Sequence, residues 1–315
     1  MMMVYQTTPA GKMEQVSAIR HNSWIHLTAP TETEINQIVK TLHIPREFVT
    51  DPLDIDEQPR LEQFGEAKLI VIHVPIDIAE TASSNDDVKY RTIPFGIVLT
   101  KDHMVTICRE TIPFVEQLFQ RQAGSLTSHM KTRNTLTLIS EASQAYVQYI
   151  ETIEQAIVLA EDELAKSYRN RELYALLHLN ESLLYMTTSL KQMQFAMRKI
   201  GSGNHIKLYD EDSEILEDAL VELEQAYEMA EINQSNMNNI MDAYGNVIQN
   251  NVNRVLKMLA AVTIILSVPT LIASIYGMNV PLPYQDAPHA FSVLIVAMVV
   301  LSGMFTFFFY KKRYF

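Results

Sequence analysis

The chain of 315 residues is 48% hydrophobic and carries a formal net charge of −12, a length that suggests about two domains and an apolar share ordinary for a chain with a core. Its single cysteine, Cys108, excludes a thiolate zinc site within one chain and agrees with a reducing compartment. There is no G-x-x-x-x-G-K-[ST] loop, no HExxH and no convincing nucleophile and base pairing, so neither ATP hydrolysis nor other enzymatic catalysis is expected, and no nucleic-acid partner.

The opening "MMMVYQTTPAGKMEQ" lacks the continuous apolar core of a signal peptide, so the long N-terminal part is expected to stay on the side where it is made. Residues 1–130 read as an α/β domain with a modest sheet. "KLIVIHVPI" at 68–76 is one strand, and "FGIVLTKDHMVTICRE" at 95–110 is a hairpin turning at Thr100, Lys101 and Asp102. Thr31 with Glu34 three residues on forms a capping box for a helix, and another helix is expected at about 112 to 122.

From residue 131 the pattern changes to long helices. Leu138, Ala142, Ala145, Val147, Ile150, Ile153, Ile157 and Leu164 recur at three and four spacing. The polar turn "SYRNRE" then leads into a second such segment that ends near Ile200, so 131–205 reads as an antiparallel helical hairpin closed by "GSGNH". A stalk helix follows at 206–255, and no proline interrupts it before Pro269. A helix from about 210 to 276 would be roughly 100 Å long, a length normally stabilised by bundling or oligomerisation. Between Asp210 and Glu231 it holds ten acidic residues and no Lys or Arg. Glu214, Asp218 and Glu222 stand at i,i+4, where like charges repel. This is either a solvated acidic face or a site for hydrated divalent cations, which prefer carboxylate oxygens and keep several waters.

No charge occurs from Met258 to Tyr276 or from Ala287 to Tyr310, and each run is long enough to cross about 30 Å of hydrocarbon. Residues 256–276 and 289–310 are therefore expected to span the lipid bilayer, joined by a loop at 277–288. Arg254 and Lys257 precede the first span, Lys311, Lys312 and Arg313 open the basic tail at 311–315, and the loop has neither Lys nor Arg. The positive-inside rule puts both termini, and with them the α/β domain, hairpin and stalk, in the cytoplasm of a multi-pass cell-membrane protein.

Steps of three and four along the first span meet Asn253, Leu256, Ala260, Thr263, Ser267, Thr270, Ser274 and Gly277. Every one except Leu256 is small or polar. Such a stripe serves either close helix packing or the wall of a water-containing pore. Pro269 should leave one backbone carbonyl without its helical partner.

The span ends in Gly277, Met278 and Asn279, followed by a short loop and one more span. This triplet, its position, the two C-terminal spans and the long helix before them resemble the CorA-type magnesium transporter family. The likeness holds at residue level over about 250 to 315 and in layout elsewhere, with local echoes such as "QPRLEQFGEAKLIVIHVP" at 58–75. The resemblance implies an α+β homopentamer whose first spans line one pore, with Gly277, Met278 and Asn279 as its selectivity filter. It implies that Asn253 and Thr270 are polar pore positions beside Ala260, Thr263, Ser267 and Ser274, and that Leu256 and Leu259 form the gate. It implies that Asp218, with Glu214 and Glu222 beside it, binds regulatory Mg2+ between subunits, and that transported Mg2+ enters down the membrane potential, with cobalt and nickel on the same route. Two departures are visible. The loop reads Val280, Pro281, Leu282, Pro283, with Asp286 as its only acid, where the family often places an acid sooner, and Ser267 stands where a bulkier apolar residue is common. A different class of protein, a membrane-anchored coiled-coil scaffold or sensor, would share the spans and the long helix but has no need of the stripe.

Overall fold

The computed structural model describes residues 1–9, 11–78, 88–120, 126–167, 170–202, 206, 208–284 and 287–314. Parts of the "SYRNRE" turn and the "GSGNH" loop, and Asp286, lie outside the described residues. Two compact units divide the chain, Met1–Asn239 and Ile240 onward.

The first unit is built on a sheet of seven strands: β1 (Met2–Thr7), β2 (Met13–Val16), β3 (Trp24–Thr28), β4 (Arg60–Phe64), β5 (Ala67–Asp77), β6 (Tyr90–Leu99) and β7 (Met104–Cys108). Their order is β2-β1-β3-β7-β6-β5-β4. Only the β3 and β7 pair is parallel, with Trp24 opposite Met104 and Thr28 opposite Cys108. The sequence suggested a modest sheet. The excess comes from β1 to β4, which are short or polar, and whose pairing joins residues as far apart as 24 and 104. The expected hairpin is β6 and β7, in register from Phe95 with Cys108 to Leu99 with Met104.

Strands β5 and β6 are buried on both faces, which is why they read as continuous apolar runs rather than as alternation. Each also contains a proline, a residue that removes a ladder donor. Pro75 lies beyond Val71, the last β5 residue that β4 pairs, and Pro94 lies just before Phe95, the first β6 residue that β7 pairs. Both prolines thus stand where one side of the strand has no paired strand among the described residues.

One face of the sheet is covered by α1 (Glu32–Leu42) and by α2 (Glu47–Thr50), which leads into a tight turn at Asp51–Leu53. Ile35, Ile38, Phe48 and Val49 pack there with Ile25, Leu27, Val71, Val98 and Ile107. The expected capping box starts α1: Glu34 N–H donates to Thr31 Oγ1, and Thr31 N–H donates to Glu34 at 2.8 Å. After α3 (Pro113–Gln120), the hairpin of α4 (Lys131–Ser167) and α5 (Asn170–Gly201) packs on β4, β5 and β6. Of the apolar positions read at three and four spacing, all but the half-buried Val147 are buried.

Polar atoms inside this layer are bonded in pairs that fix its register. His73 on β5 donates Nε2–H to the Glu57 carbonyl at 2.7 Å and accepts at Nδ1 from Ser189 of α5 at 2.8 Å, while Thr92 of β6 meets the same Ser189 hydroxyl at 2.8 Å. On β3, His26 lies 2.8 Å from Thr106 and 3.1 Å from Thr28. Burial pushes the His26 imidazole down to about 4 from an ordinary 6.5, and burial pushes the Cys108 thiol up to about 12, which keeps it protonated.

The lowered His26 pKa makes stability depend on pH, because the unfolded chain binds the proton that the folded chain refuses. His26 contributes fully above pH 6.5, and the contribution is lost as pH falls towards 4. At 1.36 kcal/mol per pH unit this amounts to about 3 kcal/mol. Trp24, the only tryptophan, is fully buried on the same strand. Its emission in urea titrations should therefore report a lower midpoint at pH 4.5 than at pH 7, and His26→Gln should lose most of that difference. An unchanged pH dependence in the variant would contradict the assignment.

Candidate functional site

The helix α6 (Asp210–Tyr276) contributes to both units. In the first, Leu216, Ala219, Leu223, Ala226, Ala230 and Met237 form a buried seam at three and four spacing. That seam leaves the acids pointing elsewhere. Glu222 is held by α4, accepting from Ser140 at 2.8 Å and from Gln144 at 3.0 Å. Asp212 is buried beside Arg133, at 3.6 Å. Glu214 and Asp218 are exposed and accept no hydrogen bond among the described residues. Within one chain, no three Asp, Glu, His or Cys side chains among the described residues converge on a cation site. The acids expected to bind metal are therefore of two kinds. Glu222 has both carboxylate oxygens engaged, whereas Glu214 and Asp218 offer theirs outward.

In the second unit, α6 continues to Tyr276, and α7 (Ala290–Lys311) follows; both are long and apolar enough to cross a membrane. The less exposed residues of the first span are Ala261, Val262, Ile265, Val268, Pro269 and Ile272. At 100° per residue these share one face, and the stripe from Asn253 to Gly277 lies about 180° from it. Asn253, Leu256, Leu259, Ala260, Thr263, Ser267, Thr270 and Ser274 are all exposed in the single chain. The stripe is thus the face that the chain's own packing leaves open.

The hydroxyls on that face have a defined polarity. Thr263 donates to the Leu259 carbonyl at 2.8 Å, Ser267 to Thr263 at 2.7 Å and Thr270 to Leu266 at 2.9 Å. With each proton committed to the preceding turn, each oxygen presents lone pairs. A hydrated cation turns its water hydrogens outward and needs acceptors of this kind. Pro269 lies inside the helix, and its missing N–H leaves the Ile265 carbonyl without a helical partner. Leu256 and Leu259 are more than half exposed, at 56% and 60%.

The last turn delivers the triplet. Gly277 N–H donates to Ala273 at 2.9 Å and Met278 N–H to Ile275 at 3.2 Å, after which the chain bends at Asn279. A Cβ on Gly277 would stand 3.2 Å from the Ala273 carbonyl oxygen, and its φ is not left-handed. That oxygen belongs to its own helix turn, so one chain by itself makes only a mild demand for glycine. The Asn279 side chain is exposed and makes no hydrogen bond among the described residues, while Tyr276 donates to the Pro283 carbonyl at 3.4 Å and draws the loop back over the helix end.

Sequence reasoning used Arg254 and Lys257 only as markers of orientation. Counting at 100° per residue puts Arg254 on the covered face of the helix and Lys257 at the edge of that face, between it and the stripe.

A mixed-sheet domain, a helical hairpin and a long helix entering the first of two spans define a class of two-span membrane protein whose first span carries an open polar face. The chain belongs to the CorA-like Mg2+ transporter protein family, whose model matches residues 20–312. The cobalt/magnesium transport protein CorA of Methanocaldococcus jannaschii is 24% identical over 302 residues, covering 92% of this chain and 90% of that protein. The magnesium transport protein CorA of Wolinella succinogenes is also 24% identical, over 296 residues and the same shares of the two chains. The complete structure of the Methanocaldococcus jannaschii CorA magnesium transporter superposes with a TM-score of 0.86 at 21% identity, covering 100% of this chain and 98% of the other, a likeness of fold.

Proposed function

We propose that this chain forms a homopentameric channel for magnesium entry. The observation that carries this reading is the open face of the first span, where the Thr263, Ser267 and Thr270 oxygens present acceptors in a row. In a ring of chains these faces would converge on one path. Asn279 at its mouth would bond the water shell of a magnesium ion that sheds water reluctantly, and Gly277 would let neighbouring chains approach closely. Asn253 and Ser274 would extend the polar wall beside Ala260, and Leu256 and Leu259 would close the path by dewetting. Cobalt and nickel would share the route.

The driving force is electrical. Two charges moving inward through 100 mV gain about 4.6 kcal/mol, which supports an accumulation of roughly a thousandfold. The orientation this needs, with the first unit in the cytoplasm, follows from the basic ends of the spans.

Feedback would come from the acidic stalk. Asp218 and Glu214, being exposed and unengaged, fit a hydrated magnesium shared with a neighbouring chain, whereas Glu222 fits better as a fastening between α6 and α4. When the site empties, repulsion among these carboxylates would loosen the stalks and let the path wet. Asp218→Asn should then keep its flux at low internal magnesium but need several-fold more internal magnesium for half-inhibition. Unchanged inhibition would mean that Asp218 holds no regulatory ion.

The anchored-scaffold reading leaves the polar face without a purpose. Magnesium uptake by cells that lack their own magnesium transport decides between the two: the channel restores uptake and growth at low magnesium, and the scaffold restores neither.

A further inference from the structure

Five cations stand at the span ends remote from the Gly-Met-Asn loop: Arg254 and Lys257 on α6, and Lys311, Lys312 and Arg313 at the end of α7. All are exposed, and none has a carboxylate partner among the described residues. Lys257 lies about 29 Å from the outer end of its helix, and Lys311 about 32 Å from the start of its own, at 1.5 Å per residue. In one bilayer, both groups reach the same interface.

The end of α7 is fixed rather than frayed. Arg313 adopts a left-handed φ of 57°, a conformation usually left to glycine at a helix C-terminus. Its N–H donates to the Tyr310 carbonyl at 3.0 Å, and Tyr314 N–H reaches back to Phe309 at 3.1 Å. The Tyr314 ring then lies 5.2 Å from the buried Phe309 ring. Crossed hydrogen bonds plus this apolar contact complete a Schellman cap, which holds three successive cations in a set arrangement. Phe307 and Tyr310, 67% and 73% exposed, supply the aromatic neighbours typical of a membrane interface.

The two cations of α6 lie off the ion path. Arg254 lies about 160° around the helix from the centre of the polar stripe and Lys257 about 100°, so in a ring of stripes neither would line the path. We propose that Arg254, Lys257, Lys311, Lys312 and Arg313 form a binding site for the phosphate headgroups of anionic phospholipids at the inner end of the two spans. It rests on the reading of α6 and α7 as membrane spans, and is independent of which ion is carried. Polybasic segments beside a span gain roughly fivefold in affinity for an anionic surface per cation, and the capped tail loses little conformational freedom on binding.

The test reconstitutes the full chain into phosphatidylcholine vesicles doped with spin-labelled phosphatidylglycerol or spin-labelled phosphatidylcholine, and measures the motionally restricted fraction of each. The native chain should favour phosphatidylglycerol by about tenfold or more. Lys311→Gln/Lys312→Gln/Arg313→Gly should lose most of that preference with helix content unchanged, because glycine at 313 relieves the left-handed φ and preserves the cap. Arg254→Gln/Lys257→Gln, away from the cap, should lose part of it. Equal restriction of the two lipids by the native chain, a preference that survives in both variants, or displacement of the restricted lipid by excess inorganic phosphate would overturn the proposal. Magnesium flux in the same vesicles keeps the two readings apart. Flux without lipid preference contradicts the headgroup site alone, and lipid preference without flux contradicts the channel alone.

Discussion

Replacing Asn279 by alanine should abolish selective magnesium flux while leaving the protein folded and in the membrane. Asn279 is exposed at the bend after α6 and makes no hydrogen bond among the described residues, so its removal costs the single chain little. In the proposed ring, each amide oxygen accepts from the hydration shell of the passing ion. Five lost contacts at about 1 kcal/mol each far exceed the 1.4 kcal/mol that makes a tenfold change. Flux should therefore fall by more than tenfold, and the remainder should lose its preference for magnesium over sodium. Asn279→Asp separates field strength from geometry, since it keeps an acceptor and adds charge. It should retain divalent entry but discriminate less well among divalent ions. Native flux and selectivity in Asn279→Ala would take the filter away from the triplet.

The second large effect is on stability and lies far from the spans. Gly96 sits within β6, paired with Val71 and Ile107, and a Cβ there would come within 2.4 Å of Pro52 Cγ and 2.7 Å of its Cβ. Pro52 is buried in the turn at Asp51–Leu53, and a proline ring has no rotamer by which to withdraw. Overpacking usually costs about 1 to 3 kcal/mol. With a rigid ring on one side and a paired strand on the other, Gly96→Val should exceed that range, a large part of the roughly 5 to 15 kcal/mol that holds a domain folded. The emission of Trp24 should show the variant unfolding at much lower urea than the native chain, or already red-shifted in buffer. A midpoint within experimental error of the native one would mean that the sheet and turn separate easily, against the packing described.

Features that rest on neighbours along the chain were legible in the sequence, and pairings with distant residues were not. The Thr31 and Glu34 capping box, the β6 and β7 hairpin and the three long helices all rest on residues a few positions apart, and their spacing is visible in the sequence. Strand β2, with the sequence Met-Glu-Gln-Val, and strand β4, rich in Arg, Glu and Gln, carry no apolar alternation. They are strands because β1 and β5 supply partners. Glu222 shows the same limit in the stalk. Its charge and spacing match those of Glu214 and Asp218, yet Ser140 and Gln144, about eighty residues earlier, occupy its oxygens. For the polar face the sequence was more informative. The three and four count found it, and the structure added two things that no count contains: the direction of the hydroxyl protons, and the fact that the chain's own packing falls on the opposite side.

The open face of the first span is, in this proposal, the wall of an ion path. The most direct measurement is magnesium entry into proteoliposomes holding the native chain, followed by an internal indicator at low internal magnesium under an imposed potential. Entry that rises with a negative interior and stops as internal magnesium accumulates is the predicted result. A correctly assembled protein that admits no magnesium at any potential would contradict it and leave the stripe as a packing surface.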